Sequence, residues 1–148
     1  MMEKRLAERL INMWQKLAEI TPLPLFSQFN RASISDIWQQ CAILKIEPSI
    51  NNDANYSIII DFMGDLVQKL LPDLHEGARI GTKSMSIQAK KYLSGIGEVV
   101  NDCKPVINGG SLVGHNNKMV KYRACLLPFT DKNAKVAYIV VGFSWIEC

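Results

Sequence analysis

The sequence predicts an α+β domain built on an antiparallel sheet. Two strand-like runs, 41–49 and 56–64, are separated by the turn cluster "INNDAN" at 50–55, which is the pattern of a β-hairpin. A helical middle follows, interrupted by Pro72 and by glycines at 77, 81, 95 and 97. The C-terminal third returns to strands, and its last run, "AYIVVGFSWI" at 137–146, has no polar face. A strand that is apolar on both sides is covered on both sides. Strands gathered at two ends of a chain around a helical middle give a sheet with segregated helices rather than alternating βα units.

Taken in order, residues 2–20 read as an amphipathic helix. Leu6, Leu10, Met13, Leu17 and Ile20 recur at helical spacing, and Ile11 and Trp14 widen the stripe. Thr21-Pro22-Leu23-Pro24 ends it. This stripe must be buried against its own domain or against a second copy. Residues 1–21 are therefore a flanking helix and 22–148 a single domain, with Leu6, Leu10, Met13, Trp14 and Leu17 as the candidate dimer or partner surface.

Residues 22–34 are mostly irregular, and Ser33 or Ser35 is expected to cap the short helical turn "DIWQQ". The first strand, 41–49, carries Ile43, Leu44 and Ile46. After the second strand, Asp65 is expected to cap the helix "LVQKLL", stopped by Pro72. Residues 73–83 read as loop. Residues 86–103 read as a helix with Ala89, Leu93, Ile96, Val100 and Cys103 on one face. Gly95 and Gly97 weaken that helix by about 1 kcal/mol each relative to alanine, so packing must hold it.

The third strand, 105–114, contains Gly109-Gly110, which invite a bulge. The fourth, in "KYRACLLPFTD" at 121–131, places Tyr122, Ala124 and Leu126 on one face and Lys121, Arg123 and Cys125 on the other. Leu126 and Leu127 then make both faces apolar. Pro128 falls near the strand's end, where a missing ladder donor costs least.

Composition narrows the function classes. The 148 residues are 48% hydrophobic and 21% charged, an ordered single domain that buries roughly 68–70% of its unfolded surface. The net charge of +3 comes from scattered residues. The densest clusters, Lys4-Arg5, Lys90-Lys91 and Lys118 to Arg123, form no single stripe, which argues against a nucleic-acid partner. Four cysteines (41, 103, 125, 148) and two histidines show no zinc spacing. The cysteines read as reduced thiols of a cytoplasmic protein. Glu8 and Arg9 interrupt the apolar stretch after Lys4-Arg5, so no secretory signal is expected. The ten-residue apolar run 137–146 is too short for a membrane-spanning helix.

The segments "FNRASISDIWQQCAILKIE", "FMGDLVQKLLPDLHEGARIG", "GEVVNDCKPVINGG" and "VKYRACLLPFTDKNAKVAYIVVG" resemble the PAS-like family of short stand-alone alphaproteobacterial proteins. The resemblance covers roughly residues 14–146 and rests on patterns of apolar residues and turns, not on catalytic signatures. It implies a five-stranded antiparallel sheet in the order 2-1-5-4-3, the last strand central, with helices on one face and the flanking helix covering the other. It also implies a ligand pocket between sheet and helices, lined by Met63, Leu66, Leu70, Met85, Leu93, Ile96, Tyr122, Ala124 and Leu126. Tyr122 is the one polar handle among them. The residues themselves read as an ordinary core in preference to a pocket.

Cofactor chemistry of this family has recognisable handles. No cysteine lies between 42 and 102 for a flavin adduct, and no histidine lies within 86–101 for a haem, so no cofactor is expected. His75 reads as a loop residue and His115 as a turn residue. Ser111 and His115 lack an orienting group and an oxyanion site. "NGGSLVGHNN" lacks the Gly-Lys-Ser/Thr of a phosphate loop. The expected function is a non-catalytic bacterial sensory module in signal transduction, a cytoplasmic homodimer that acts through protein–protein contact with a small ligand as optional gate. The alternatives are a sensor whose pocket is the primary site and, last, an α+β enzyme using the same cavity.

Overall fold

The computed structural model describes residues 6–48, 56–72, 74–80, 94–113, 117–132 and 135–147. Helix α1 (Leu6–Ile20) is followed by a 3-10 turn at Phe26–Gln28, 3-10 segments over Arg31–Gln40, strands β1 (Cys41–Pro48) and β2 (Tyr56–Met63), helix α2 (Asp65–Leu70), the short strand β3 (Arg79–Ile80), helix α3 (Ile96–Asp102), and strands β4 (Val106–Val113), β5 (Met119–Thr130) and β6 (Val136–Glu147). The strands form one six-stranded sheet in the order β3-β2-β1-β6-β5-β4, and every pairing is antiparallel. The α+β class and antiparallel sheet are as expected. The five-strand order is not met as such, because Arg79–Ile80, read as loop, adds an edge strand beside β2.

β6 is a central strand. Its Gly142 lies opposite Cys41 of β1 on one side and Cys125 of β5 on the other. Side-chain alternation then divides the sheet into two apolar faces. Ala42, Leu44, Ile58, Ile60, Tyr122, Ala124, Leu126, Ile139, Val141 and Phe143 form one core with Val67 and Leu71 near α2 and with Ile96 and Val99 of α3. Cys41, Ile43, Cys125, Leu127, Phe129 and Val140 form the other with Leu6, Ala7, Leu10 and Trp14 of α1 and with Phe29, Ile34 and Ile37. The lack of a polar face on the last strand has this cause.

Several local expectations are corrected. The 3-10 stretch Arg31–Gln40 is two pieces that meet at a kink at Ile34, and Asn30 caps the first, its side chain accepting from Ala32 N at 3.0 Å. Gly64 occupies the N-cap of α2 and Asp65 the first turn. A Cβ on Gly64 would stand 2.4 Å from the Gln39 backbone oxygen, so only glycine allows that approach. α3 starts at Ile96 because Gly95 is left-handed, with φ 98. Gly95 therefore begins the helix rather than weakening its middle. Residues 81–93, including the expected inward Met85 and Leu93, lie outside the described residues, as do the 50–55 turn, His115 and Cys148.

β4 pairs with β5 in continuous register from Val106↔Leu126 to Val113↔Met119, without the expected bulge. The two glycines have another use. A Cβ on Gly109 would stand 2.8 Å from the Tyr122 backbone oxygen, and one on Gly110 would stand 3.3 Å from the Tyr122 hydroxyl. The glycine pair clears space for the neighbouring strand and for the tyrosine ring.

Candidate functional site

The α3-side face gathers most of the sequence-predicted pocket residues. Met63, Ile96, Tyr122, Ala124 and Leu126 are buried in one cluster, and Leu70 packs at its margin. Leu66 is half-buried and outside the cluster. The inward stripe of α2 is Val67, fully buried, and Leu71 just beyond its end. Neither was among the expected inward residues. Burial raises the Tyr122 phenol above its ordinary pKa. The ring lies across the strand from Gly110.

On the opposite face, Leu6, Leu10 and Trp14, read as part of a dimer or partner surface, are buried against the chain's own sheet. The stripe finds its burial within the chain because Gly142 leaves a notch for it. A Cβ there would lie 2.3 Å from Leu10 Cδ1 and 2.7 Å from Leu6 Cδ2. Met13 and Leu17 are only half-buried. Trp14 donates its indole N–H to the Pro128 carbonyl at 2.7 Å.

That bond accounts for the proline in β5. β5 overruns β4, whose pairing ends at Leu126. Thr130, which points the same way along the strand as Pro128, donates its N–H to Pro24 O at 2.9 Å. Position 128 thus faces the overrun edge, where no β4 partner would receive an N–H, and its carbonyl takes the indole instead.

A groove of about 670 Å³ that the sequence did not announce runs along the flank of α1. Ile11, Trp14, Gln15 and Ala18 line one wall, Pro22 and Leu23 the end, and Asp102, Cys103, Lys104 and Pro105 the other wall. Its volume is in the range of small-molecule sites. Cys103, half-buried, closes α3 in the left-handed region at φ 57. The groove combines apolar walls with an amide, a carboxylate, an amine and a thiol, so it can hold an apolar body and orient a polar end. Its residues come from segments far apart in the chain, which is why periodicity could not reveal it.

An aromatic series borders the α1 face. Phe26 stacks on Tyr138 at 4.1 Å, and Trp38 stacks on Phe62 at 4.5 Å. Phe29 lies 5.5 Å from Phe129, and the Arg31 guanidinium sits 5.2 Å over the Trp38 ring. Cys41 and Cys125 are buried thiols on this face, and burial pushes each up to about 12. Among the described residues no cluster of His, Cys, Asp and Glu could hold a metal ion, and no helix is long and apolar enough to cross a membrane. Comparisons with family models, with curated proteins and with solved structures find no match.

Proposed function

We propose that this chain is a PAS-like regulatory module that works without catalysis, through contact with a protein partner in a signalling pathway. The observation that carries this reading is the arrangement of the five longer strands, β2-β1-β6-β5-β4, with α2 and α3 on one face and α1 across the other. Taken without β3, that arrangement is the one the family resemblance implies. On this reading the partner meets the α1 side, where Met13, Leu17 and the exposed Ile20 remain after Leu6, Leu10 and Trp14 are buried.

The test is affinity capture from the source cells with the wild-type chain and with a Met13→Glu, Leu17→Glu variant, whose fold is checked by circular dichroism. A partner retained by the wild type and lost by the folded variant supports the reading. Equal retention by both removes the α1 side from it, and retention of nothing above an unrelated bait removes the partner.

A second reading makes a small molecule primary, and the groove beside α1 favours it over the filled inward face. Native mass spectrometry distinguishes the two. A co-purifying small molecule supports the sensor. A clean mass, with no thermal shift across a metabolite panel, counts against it.

A further inference from the structure

The attachment of α1 differs in kind from that of the segment that follows it. α1 is tied by side chains: Leu6 and Leu10 in the Gly142 notch and Trp14 on Pro128 O hold it to the sheet, and Arg9 holds it to Asp36 of the 3-10 segment by two bonds of 2.7 and 2.9 Å. The segment beyond it is tied by backbone. Thr130 N–H bonds Pro24 O, and Leu25 forms a parallel bridge with Thr130. Between the two attachments lie Thr21, whose N–H still bonds Leu17 O, the exposed Pro22, and Leu23, which packs against the α3-side core. The groove runs along the C-terminal half of α1, so that flank stands off from Asp102–Pro105. The last turn of α1 carries Glu19 and no basic residue, which opposes the helix dipole there.

We propose that α1 is a hinged strap: it swings off the sheet as one unit about Thr21–Pro22, with Leu23 staying on the core, and uncovers the apolar patch around Gly142, while the strands stay paired. This inference stands on the contacts of α1 and does not rest on the PAS-like reading. Cys41 and Cys125 flank Gly142 beneath the strap and are fully buried when it is closed. Cys41 Sγ also donates to Ile37 O at 3.5 Å, so Cys125 is the cleaner reporter. A thiol that is buried and held protonated reacts with an external reagent only through opening.

The experiment is native-state labelling of the full chain with a thiol reagent, resolved by site with peptide mass spectrometry, across low urea concentrations. Cys125 is expected to label at least about tenfold faster than complete unfolding permits, with a weaker urea dependence. Arg9→Ala should raise that rate several-fold and leave the midpoint of the cooperative unfolding transition nearly unchanged. Asp36→Asn should do the same, and serves if the arginine variant does not fold. Hydrogen exchange on the wild type supplies a readout independent of any variant: α1 amides should exchange together, ahead of β6 amides. Labelling of Cys125 only at the rate of complete unfolding, or equal protection of α1 and β6, overturns the strap.

Discussion

The two faces of the sheet are both apolar, yet they are closed by different means. On one face, α2 and α3 interleave with residues of β1, β2, β5 and β6, and the core extends to Ile80 of β3. On the other, α1 lies over β5 and β6 beside 3-10 segments and an aromatic border. The first closure is distributed over several elements. The second shares its core between the 3-10 residues Phe29, Ile34 and Ile37 and one helix, α1, which is held by a glycine notch, an indole bond and an exposed ion pair. A distributed closure fails only with the whole fold, whereas a concentrated one can open by itself.

Substitutions on each face test this contrast. Phe143 is buried on the α3 side. Phe143→Ala should cost about 3–5 kcal/mol in chemical denaturation and lower the stability of both faces together. Gly64→Ala places a Cβ against the Gln39 backbone oxygen. It should cost about 1–3 kcal/mol, also as a global loss, because neither backbone can yield without moving β1 or α2. Trp14→Phe keeps a ring but leaves the Pro128 carbonyl without its donor. It should cost about 1–3 kcal/mol, and hydrogen exchange should show the loss concentrated in α1 amides. An equal loss in β6 amides would erase the contrast.

The smallest effect is the pH dependence of the Arg9–Asp36 pair. The hydrogen bond from Arg9 holds the Asp36 carboxyl below the usual carboxylate range. Its folded pKa lies below its unfolded value, so its contribution is present above an ordinary carboxylate pKa of about 4 and is lost as pH falls through the depressed value. Wild type and Asp36→Asn should therefore differ slightly at neutral pH and converge in acid, with the neutral difference shrinking in high salt. Melts across pH and ionic strength check this. A difference that persists in acid would assign Asp36 another role.

Much of this fold was legible because its signals are local. The helical spacing of Leu6, Leu10 and Trp14, the alternation of Tyr122, Ala124 and Leu126 with Cys125 and Leu127, and the two-sided run 137–146 all reflect burial along single elements. That Val67 and Leu71 go deeper than Leu66 and Leu70 was not legible, because a helix of six residues carries too little period. β3 was missed because two residues carry no period. The groove beside α1 was invisible because its walls come from residues 11–23 and 102–105.

Residue order alone was enough for α1, the longer strands, the antiparallel α+β class and the need to cover both faces of the last strand. Apolar periodicity is enough for that, since it records which side of each element leaves water. What covers each face was decided only by the tertiary structure. Gly142 could have meant a bend, a bulge or a close approach, and Pro128 could have meant only a strand end. Leu6 and Leu10 fill the space that Gly142 leaves, and the indole of Trp14 occupies the carbonyl that Pro128 presents at an overrun edge. A glycine or a proline states what it lacks, a Cβ or an N–H. Only the folded chain supplies the neighbour that uses the vacancy.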